Sequence, residues 1–296
     1  MHAERANIDK AAKTARRRKV SQSGFFLLFR GAALISALAL VVVVFFLVKN
    51  GWEAINWTFL TQPPRDSMTR GGIFPAIVGT LYLSVGAMVF AFPLGIGSAV
   101  YLSEYAAQGR LVRAIRFGIN NLAGVPSIVF GLFGLAFFVT WMKLEVSILS
   151  GALTLAILSL PVIIGTSEEA LRSVPATYRE ASLGLGATKW QTISRVVLPA
   201  ALPSMITGGI LALSRAAGET AAIMFTAAVY YTTQMPASIL DPVMALPYHI
   251  YVLATAGTDI EQTRSLQYGT ALVLIALVLG MNLAAIIYRA RLRRKI

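Results

Sequence analysis

The stretch SEEALRSVPATYREASLGLGATKWQTISRVVLPAALP, residues 167–203, separates two long apolar runs near 147–167 and 203–229, and its reading decides the fold. It carries too many local signals for a plain linker. Pro175 suits a first helical position, and Ala176 to Leu185 holds good helix formers with Tyr178, Ala181 and Leu185 along one side. Gly184 and Gly186 offer left-handed backbone for a sharp stop. Thr188 and Gln191 have capping-box spacing, which predicts a second helix from Lys189 to about Val197, limited by Pro199. The prediction is a helix, a glycine turn and a short helix on one face of a membrane. Two uses remain open at this point: an ordinary solvated connector, or a docking element for another protein.

The neighbouring runs identify the solvent. The 296 residues are 56% hydrophobic and 13% charged, with no cysteine, and the mean hydropathy is +0.69. This is far from a soluble globular domain. Absence of cysteine excludes disulfides, thiolate metal sites and thiol nucleophiles. Apolar segments long enough to cross a bilayer, roughly 20 residues each, occur near 27–48, 73–102, 119–141, 147–167, 203–229 and 267–288. Met142 to Val146 predicts a tight hairpin between the third and fourth. Pro93 predicts a kink or tilt in the second. The fold class is an all-α integral membrane protein with six transmembrane helices. The expected order is a basic tail (1–26), a first span (27–48), an outer loop (49–72), a five-helix core (73–288) with the connector at 168–202, and a second basic tail (289–296).

Lys and Arg positions orient the chain. With the N-terminus cytoplasmic, 20 of the 26 lie inside, and Lys49, Arg65, Arg70, Lys143 and Arg264 lie outside. The remaining one is Arg215. Both termini are thus expected in the cytoplasm, with the chain multi-pass in the membrane. The net charge of +13 is topological and does not point to nucleic acid. ARRRKVSQSGFFLLF (15–29) resembles the start of a secretion signal. Its apolar run is too long for one, so a retained first span is expected.

LSRAAGETAA (213–222) places Arg215 and Glu219 inside an otherwise apolar or small-residue run. A charge at the centre of a span costs about 2.5–3.5 kcal/mol on insertion scales. Read as helix, the two charges lie four apart on one face, which must turn to protein or water. In one reading the pair neutralises itself or a neighbour and holds helices together. In the other, Arg215 offers an oxyanion its planar donor fork, and Glu219 holds Arg215 when the anion is absent. Arg70, beside Gly71 and Gly72, is a second candidate for receiving an anion, or an interfacial snorkelling arginine. Tyr230, Tyr231, Tyr248 and Tyr251, with Pro236, Pro242 and Pro247, suit either an aromatic belt or a docking surface for an external protein. Gly79, Gly86, Gly95 and Gly97 are expected at close helix contacts.

EASLGLGATKWQTISRVVLP (180–199) resembles the EAA signature of ABC-importer permeases: Glu-Ala-Ala, three residues, Gly, nine residues, then Ile-x-Leu-Pro. Glu180, Ala181, Gly186, Leu198 and Pro199 match; Ser182 and Val196 are the departures. GGIFPAIVGTLYLS (71–84), FPLGIGSAVYLSEYA (92–106), GVPSIVFGL (124–132), SRAAGETAA (214–222) and LPYHIYVLA (246–254) resemble the A-type permease subunit of bacterial phosphate-specific (Pst) transporters. The likeness begins near residue 70. The C-type subunit shares the EAA and GET-like elements, and sulfate and molybdate permeases share the EAA loop; the GIFPAIVGT and YLSEYA forms favour the A-type.

The resemblance implies a type I importer permease that takes up inorganic phosphate. Tyr178, Arg179, Glu180, Ala181, Ser182, Gly186, Ala187, Leu198 and Pro199 would belong to a coupling loop seated on a cytoplasmic ATPase. Arg215 and Glu219 would stand at charged positions used in transport. The implied partners are a C-type permease, an ATP-binding subunit dimer and an extracytoplasmic phosphate-binding protein. ATP and magnesium would be held by the ATPase, since this chain has no G-x-x-x-x-G-K-[ST] and needs no cofactor. An ion-coupled secondary transporter would more often show two homologous halves and several intramembrane acids. A membrane enzyme would need a catalytic cluster, and His2 and His249 both lie outside the spans.

Overall fold

A computed structural model describes residues 2–107, 109–256 and 260–293, with side chains at 22, 25–66, 68–107, 109–256 and 263–292. The chain divides into two units, Met1–Asn50 and Gly51–Ile296. The first is a single helix, α1 (His2–Gly51), whose apolar part from Phe25 onward is long enough to cross a bilayer. The basic tail and the first span therefore share one helix. The tail's side chains up to Ser21 lie outside the described residues, as do Arg294 to Ile296 of the second tail.

The second unit opens with a short region of small elements. Asn56 caps α2 (Trp57–Thr61) by accepting from the Phe59 amide at 2.8 Å, and β1 (Pro64–Arg65) pairs antiparallel with β2 (Arg70–Gly71). Helix α3 (Phe74–Val100) follows and ends in a wider helical turn, Tyr101–Tyr105. The next two helices, α4 (Arg110–Leu122) and α5 (Ser127–Gly134), meet at 103°. The sequence predicts one span over 119–141; instead α4 is an amphipathic helix and the apolar segment begins at Ser127, extended to Trp141 by another widened stretch. Pro126 forces the change, because the residue before a proline avoids helical geometry and the proline itself suits a helix start.

The most deeply packed span is α6 (Ile148–Ser173), capped by Ser147, whose hydroxyl accepts from the Ser150 amide. It runs parallel to α3 in fixed register: a Cβ at Gly86 would stand 3.0 Å from that of Ala152, and one at Gly95 would press on Ile163. Gly79 instead meets an irregular segment at Met244 and Gly97 faces open space, so two of the four glycines, Gly86 and Gly95, stand at the expected helix contacts. After α6 come α7 (Ala176–Gly184), α8 (Lys189–Thr192), a widened turn (Ile193–Val197) and α9 (Leu198–Ala217). The last three form one unbroken helix of 29 residues, roughly 44 Å long. Pro199 does not stop it, because the widened turn before the proline absorbs the missing donor.

An irregular segment, 218–245, leads to α10 (Leu246–Thr255) and the final span α11 (Ile260–Arg293). Among the described residues, five helices can span a bilayer, or six when α4 and α5 count together. Two clusters make the core of the bundle. Leu83, Phe130, Leu155, Leu158, Ala216 and Ile223 fill its middle, and Leu102, Leu171, Val197 and Met205 fill the end near the connector.

Candidate transport site and docking surface

The connector folds as its local signals require. Thr188 accepts from the Gln191 amide and Gln191 returns a bond to the Thr188 amide, completing the capping box. Gly186 takes φ +84°, the left-handed geometry that turns the chain. Pro175 sits one position earlier than predicted, as the N-cap of α7. The loop proper is shorter than 168–202, because α6 continues to Ser173 and α8 already belongs to the next span.

Of the residues expected to dock, Tyr178, Glu180, Ala181 and Gly186 are exposed, with Ser182 and Ala187 half-buried. Around them stand the apolar side chains of Leu183, Leu185 (90% exposed) and Trp190 (62% exposed). No side chain of α7 is buried, so this helix leaves an exposed, partly apolar surface. Leu198 and Pro199 lie inside the long helix, where Leu198 packs against the second core cluster.

Arg179 turns the other way. Its guanidinium donates to both Glu104 oxygens, at 2.8 and 3.4 Å, and to the carbonyls of Leu171 (2.9 Å) and Val174 (2.8 Å). One side chain thus ties α7 to the end of α3 and satisfies the last carbonyls of α6. Ser182 and Thr192 share a hydrogen bond of 2.9 Å, and the Lys189 ammonium lies 4.8 Å from the centre of the Tyr105 ring. Beside them, Arg116 donates to the Leu102 carbonyl and approaches Glu168 at 3.7 Å, while Arg172 bonds Glu168 at 3.2 Å. The connector and the bundle end are therefore cross-linked by polar contacts, several between residues far apart in sequence.

The charged pair of the apolar run is placed differently from its prediction. Helix α9 stops at Ala217, so Arg215 occupies its last turn and Glu219 lies beyond Gly218, outside the helix. The two do not share a helix face. Among the described residues, Arg215 forms no ion pair and no side-chain hydrogen bond, and it is exposed. The negative end of the α9 dipole, at the carbonyls of this last turn, favours a cation there.

The stop falls in mid-bundle. Ala212 packs with Ala91, Ala156 and Ile163, and Ala216 with Leu155 and Leu158, near the centre of α6. Beyond it, residues 218–229 are irregular yet largely buried. Thr226 bonds the Ala222 carbonyl and its own carbonyl accepts from the Ser147 amide, while the Val229 amide donates to the Val243 carbonyl and the Val243 amide to the Ala227 carbonyl. Irregular backbone at membrane depth survives only where protein supplies such partners. Close passage is permitted by Gly131, where a Cβ would stand 2.8 Å from the Ala221 carbonyl oxygen.

Arg70 is exposed on the β1–β2 hairpin, opposite Arg65, and is not brought together with Arg215. Of the outer tyrosines, Tyr230 donates to the Ala256 carbonyl and Tyr231 to the Pro64 carbonyl, while Tyr248 stacks on Tyr251 with centroids 6.1 Å apart. His249 is buried in α10, its Nδ1 has no partner among the described residues, and burial lowers its pKa to about 4. Two polar side chains missed by the sequence reading, Asn282 and Arg289 of α11, bond Ser214 and Thr207 of α9. An asparagine in a 20-residue apolar run was the available signal. Among the described residues there is no cluster of metal-ligating side chains.

Residues 91–296 match the family described as the binding-protein-dependent transport system inner membrane component. The chain belongs to this family. It is 37% identical over 92% of its length to phosphate transport system permease protein PstA 1 of Mycobacterium tuberculosis, covering 90% of that protein. It is 36% identical over 86% of its length to a probable ABC transporter permease, YqgI, of Bacillus subtilis, again covering 90%. Among solved structures it resembles the inward-facing MetNI methionine ABC transporter, with a TM-score of 0.60 and 19% identity, over 73% of this chain and 94% of the other. That likeness concerns the fold, which is the importer-permease bundle expected from the connector. As in other members, the chain is a membrane-embedded permease component.

Proposed function

We propose that this chain is the A-type permease subunit of an ATP-driven importer of inorganic phosphate, forming half of the translocation path. The observation that carries the reading is one continuous helix, Lys189–Ala217, with a protein-docking loop at one end and an unpaired arginine at mid-depth at the other. The substrate is taken from relatives named for phosphate transport at 33–37% identity.

In this reading Leu183, Leu185, Tyr178 and Trp190 seat α7 in a groove of a cytoplasmic ATPase, which binds ATP and magnesium and does the hydrolysis. Arg179 keeps α7 fixed to α3 and α6, so closure of the ATPases moves the bundle end as one body. A C-type permease completes the path, an extracytoplasmic binding protein delivers phosphate, and both termini face the cytoplasm. A phosphate dianion crossing a low-dielectric path needs a positive donor, and the planar guanidinium of Arg215 supplies two parallel hydrogen bonds. Retention must stay weak for release. The helix carbonyls beside Arg215 bring partial negative charge close to the bound anion, which limits its affinity. Arg70, on the outer hairpin, is at most an entry contact.

Vesicles holding the chain with its permease partner, ATPase and binding protein test this directly. ATP-driven entry of radiolabelled phosphate, but not sulfate, is expected. Sulfate entry at equal efficiency would overturn the substrate, and no entry from an assembled, ATP-hydrolysing complex would overturn it as well.

A further inference from the structure

We propose that Asn282 and Arg289 are positioning residues that lock α9 onto α11, so that movement of the docking loop reaches Arg215 without slippage. The proposal rests on the reading of Arg215 given above.

Among the described residues, the contacts on the other sides of α9 are close packing without a side-chain hydrogen bond to another spanning helix. Ala212 packs with Ala91, Ala156 and Ile163, and Gly208 and Gly209 meet Thr166 and Phe92 closely. Small residues let helices approach closely, but they contribute no directional bond of their own. Against α11 the arrangement differs. Ser214 meets Asn282 at 2.8 Å, and Arg289 donates to Thr207 at 2.7 Å. Thr207 and Ser214 are seven residues apart, and so are Asn282 and Arg289, so the two ties stand two helical turns apart on antiparallel helices. Among the described residues they are the side-chain hydrogen bonds that join α9 to another spanning helix.

The upper tie is chemically complete. The Ser214 oxygen lies 2.8 Å from both the Ile210 carbonyl and the Asn282 amide oxygen, but a hydroxyl has one proton. Turning the Asn282 amide by half a rotation, which leaves its shape unchanged, lets its NH2 donate to Ser214 while Ser214 donates to Ile210. The Ser214 hydroxyl then both donates and accepts, and the half-buried Asn282 holds it through one amide proton. Ser214 precedes Arg215 directly, so Asn282 fixes the turn that carries the guanidinium. Arg289 fixes the same helix two turns nearer the docking loop.

The test uses the complete complex in vesicles and reads phosphate entry per ATP hydrolysed. Asn282→Leu and Ser214→Ala are each expected to lower that ratio about tenfold, with ATP turnover and complex yield within twofold. The double variant should be no worse than either single one. Unchanged ratios, or losses that track the yield of assembled complex, would overturn the proposal. The absence of cysteine gives a second measurement that survives poor assembly of the leucine variant. In Ser214→Cys/Asn282→Cys a short bifunctional thiol reagent should restore the ratio by holding the register. Loss of entry on cross-linking would mean that the two helices slide during transport, and the proposal would fall. Arg215→Ala in parallel separates the two claims: normal entry in that variant removes the path arginine, whereas the coupling ratios of the Asn282 and Ser214 variants report the lock on their own.

Discussion

Two arginines of this chain invert what their sequence neighbourhoods predict. Arg179 lies in an exposed docking loop and is spent inward, on Glu104 and two helix-end carbonyls. Arg215 lies in an apolar run with a carboxylate four residues on, and it has no ion-pair partner among the described residues. The difference teaches which cations are free to act. A guanidinium already holding a carboxylate and two carbonyls is a brace, and a ligand would have to displace them all. A guanidinium supported only by a helix end is available to an anion.

The largest expected effect breaks the comparison at Arg215. Arg215→Ala should lower phosphate entry about 100-fold, equivalent to roughly 2.7 kcal/mol, while Arg215→Lys, which keeps the charge and loses the planar fork, should recover part of it. Entry within threefold of wild type in the alanine variant would reduce Arg215 to a structural cation.

Arg179→Ala comes next and should act on the loop. The side chains of Arg179 and Glu104 are 24% and 11% exposed, so removing the arginine leaves a poorly solvated carboxylate. A loss of roughly 2–3 kcal/mol in resistance to unfolding is expected, together with faster proteolysis of 174–188. Glu104→Ala should lose about as much, and the double variant little more. Additive losses would show that the two do not act as a unit.

How much of this was legible follows from range. The capping box at Thr188 and Gln191 and the turn at Gly186 are local, and their signals lie within four residues of the structure they cause. The spans are equally local, since an apolar run of sufficient length has few alternatives in a bilayer. The end of α9 was not legible. Ala216, Ala217, Ala221 and Ala222 are good helix formers, and one glycine between them does not normally stop a helix. The break is set by distant residues: Gly131 admits the passing chain, and the Ser147 amide and Val243 receive its backbone. The pairing of Arg179 with Glu104, 75 residues away, is of the same kind. The bend before α5 was legible through Pro126 and was missed because hydropathy alone was read there.

His249 extends the comparison to a buried group that avoids needing a partner by staying neutral. Its folded pKa is about 4, below the ordinary 6.5. Above pH 6.5 both folded and unfolded chains are neutral at this site and nothing is lost. Below it the unfolded chain takes up a proton that the folded chain refuses, so stability falls from about pH 6.5 towards pH 4. Between pH 7 and 5.5 the loss should be roughly 1 kcal/mol. Thermal unfolding of the assembled complex at both pH values checks this, and His249→Phe should flatten the difference. An unchanged difference in that variant would assign the pH response elsewhere.

The smallest effect sharpens the comparison at Glu219. Had α9 continued, Glu219 would be the counter-charge of Arg215, and its neutralisation would strand the arginine and cost as much as losing a buried ion pair. With the helix ending at Ala217, Glu219 is half-buried beyond Gly218, its amide bonded to the Ala216 carbonyl. Glu219→Gln keeps the shape and that backbone bond, so stability should change by less than about 0.5 kcal/mol. Phosphate entry should shift less than threefold, in KM rather than in maximal rate, because only a long-range repulsion of the incoming anion is removed. A loss matching that of Arg215→Ala would show that the two charges meet during the transport cycle, and that the separation seen here belongs to one of its states.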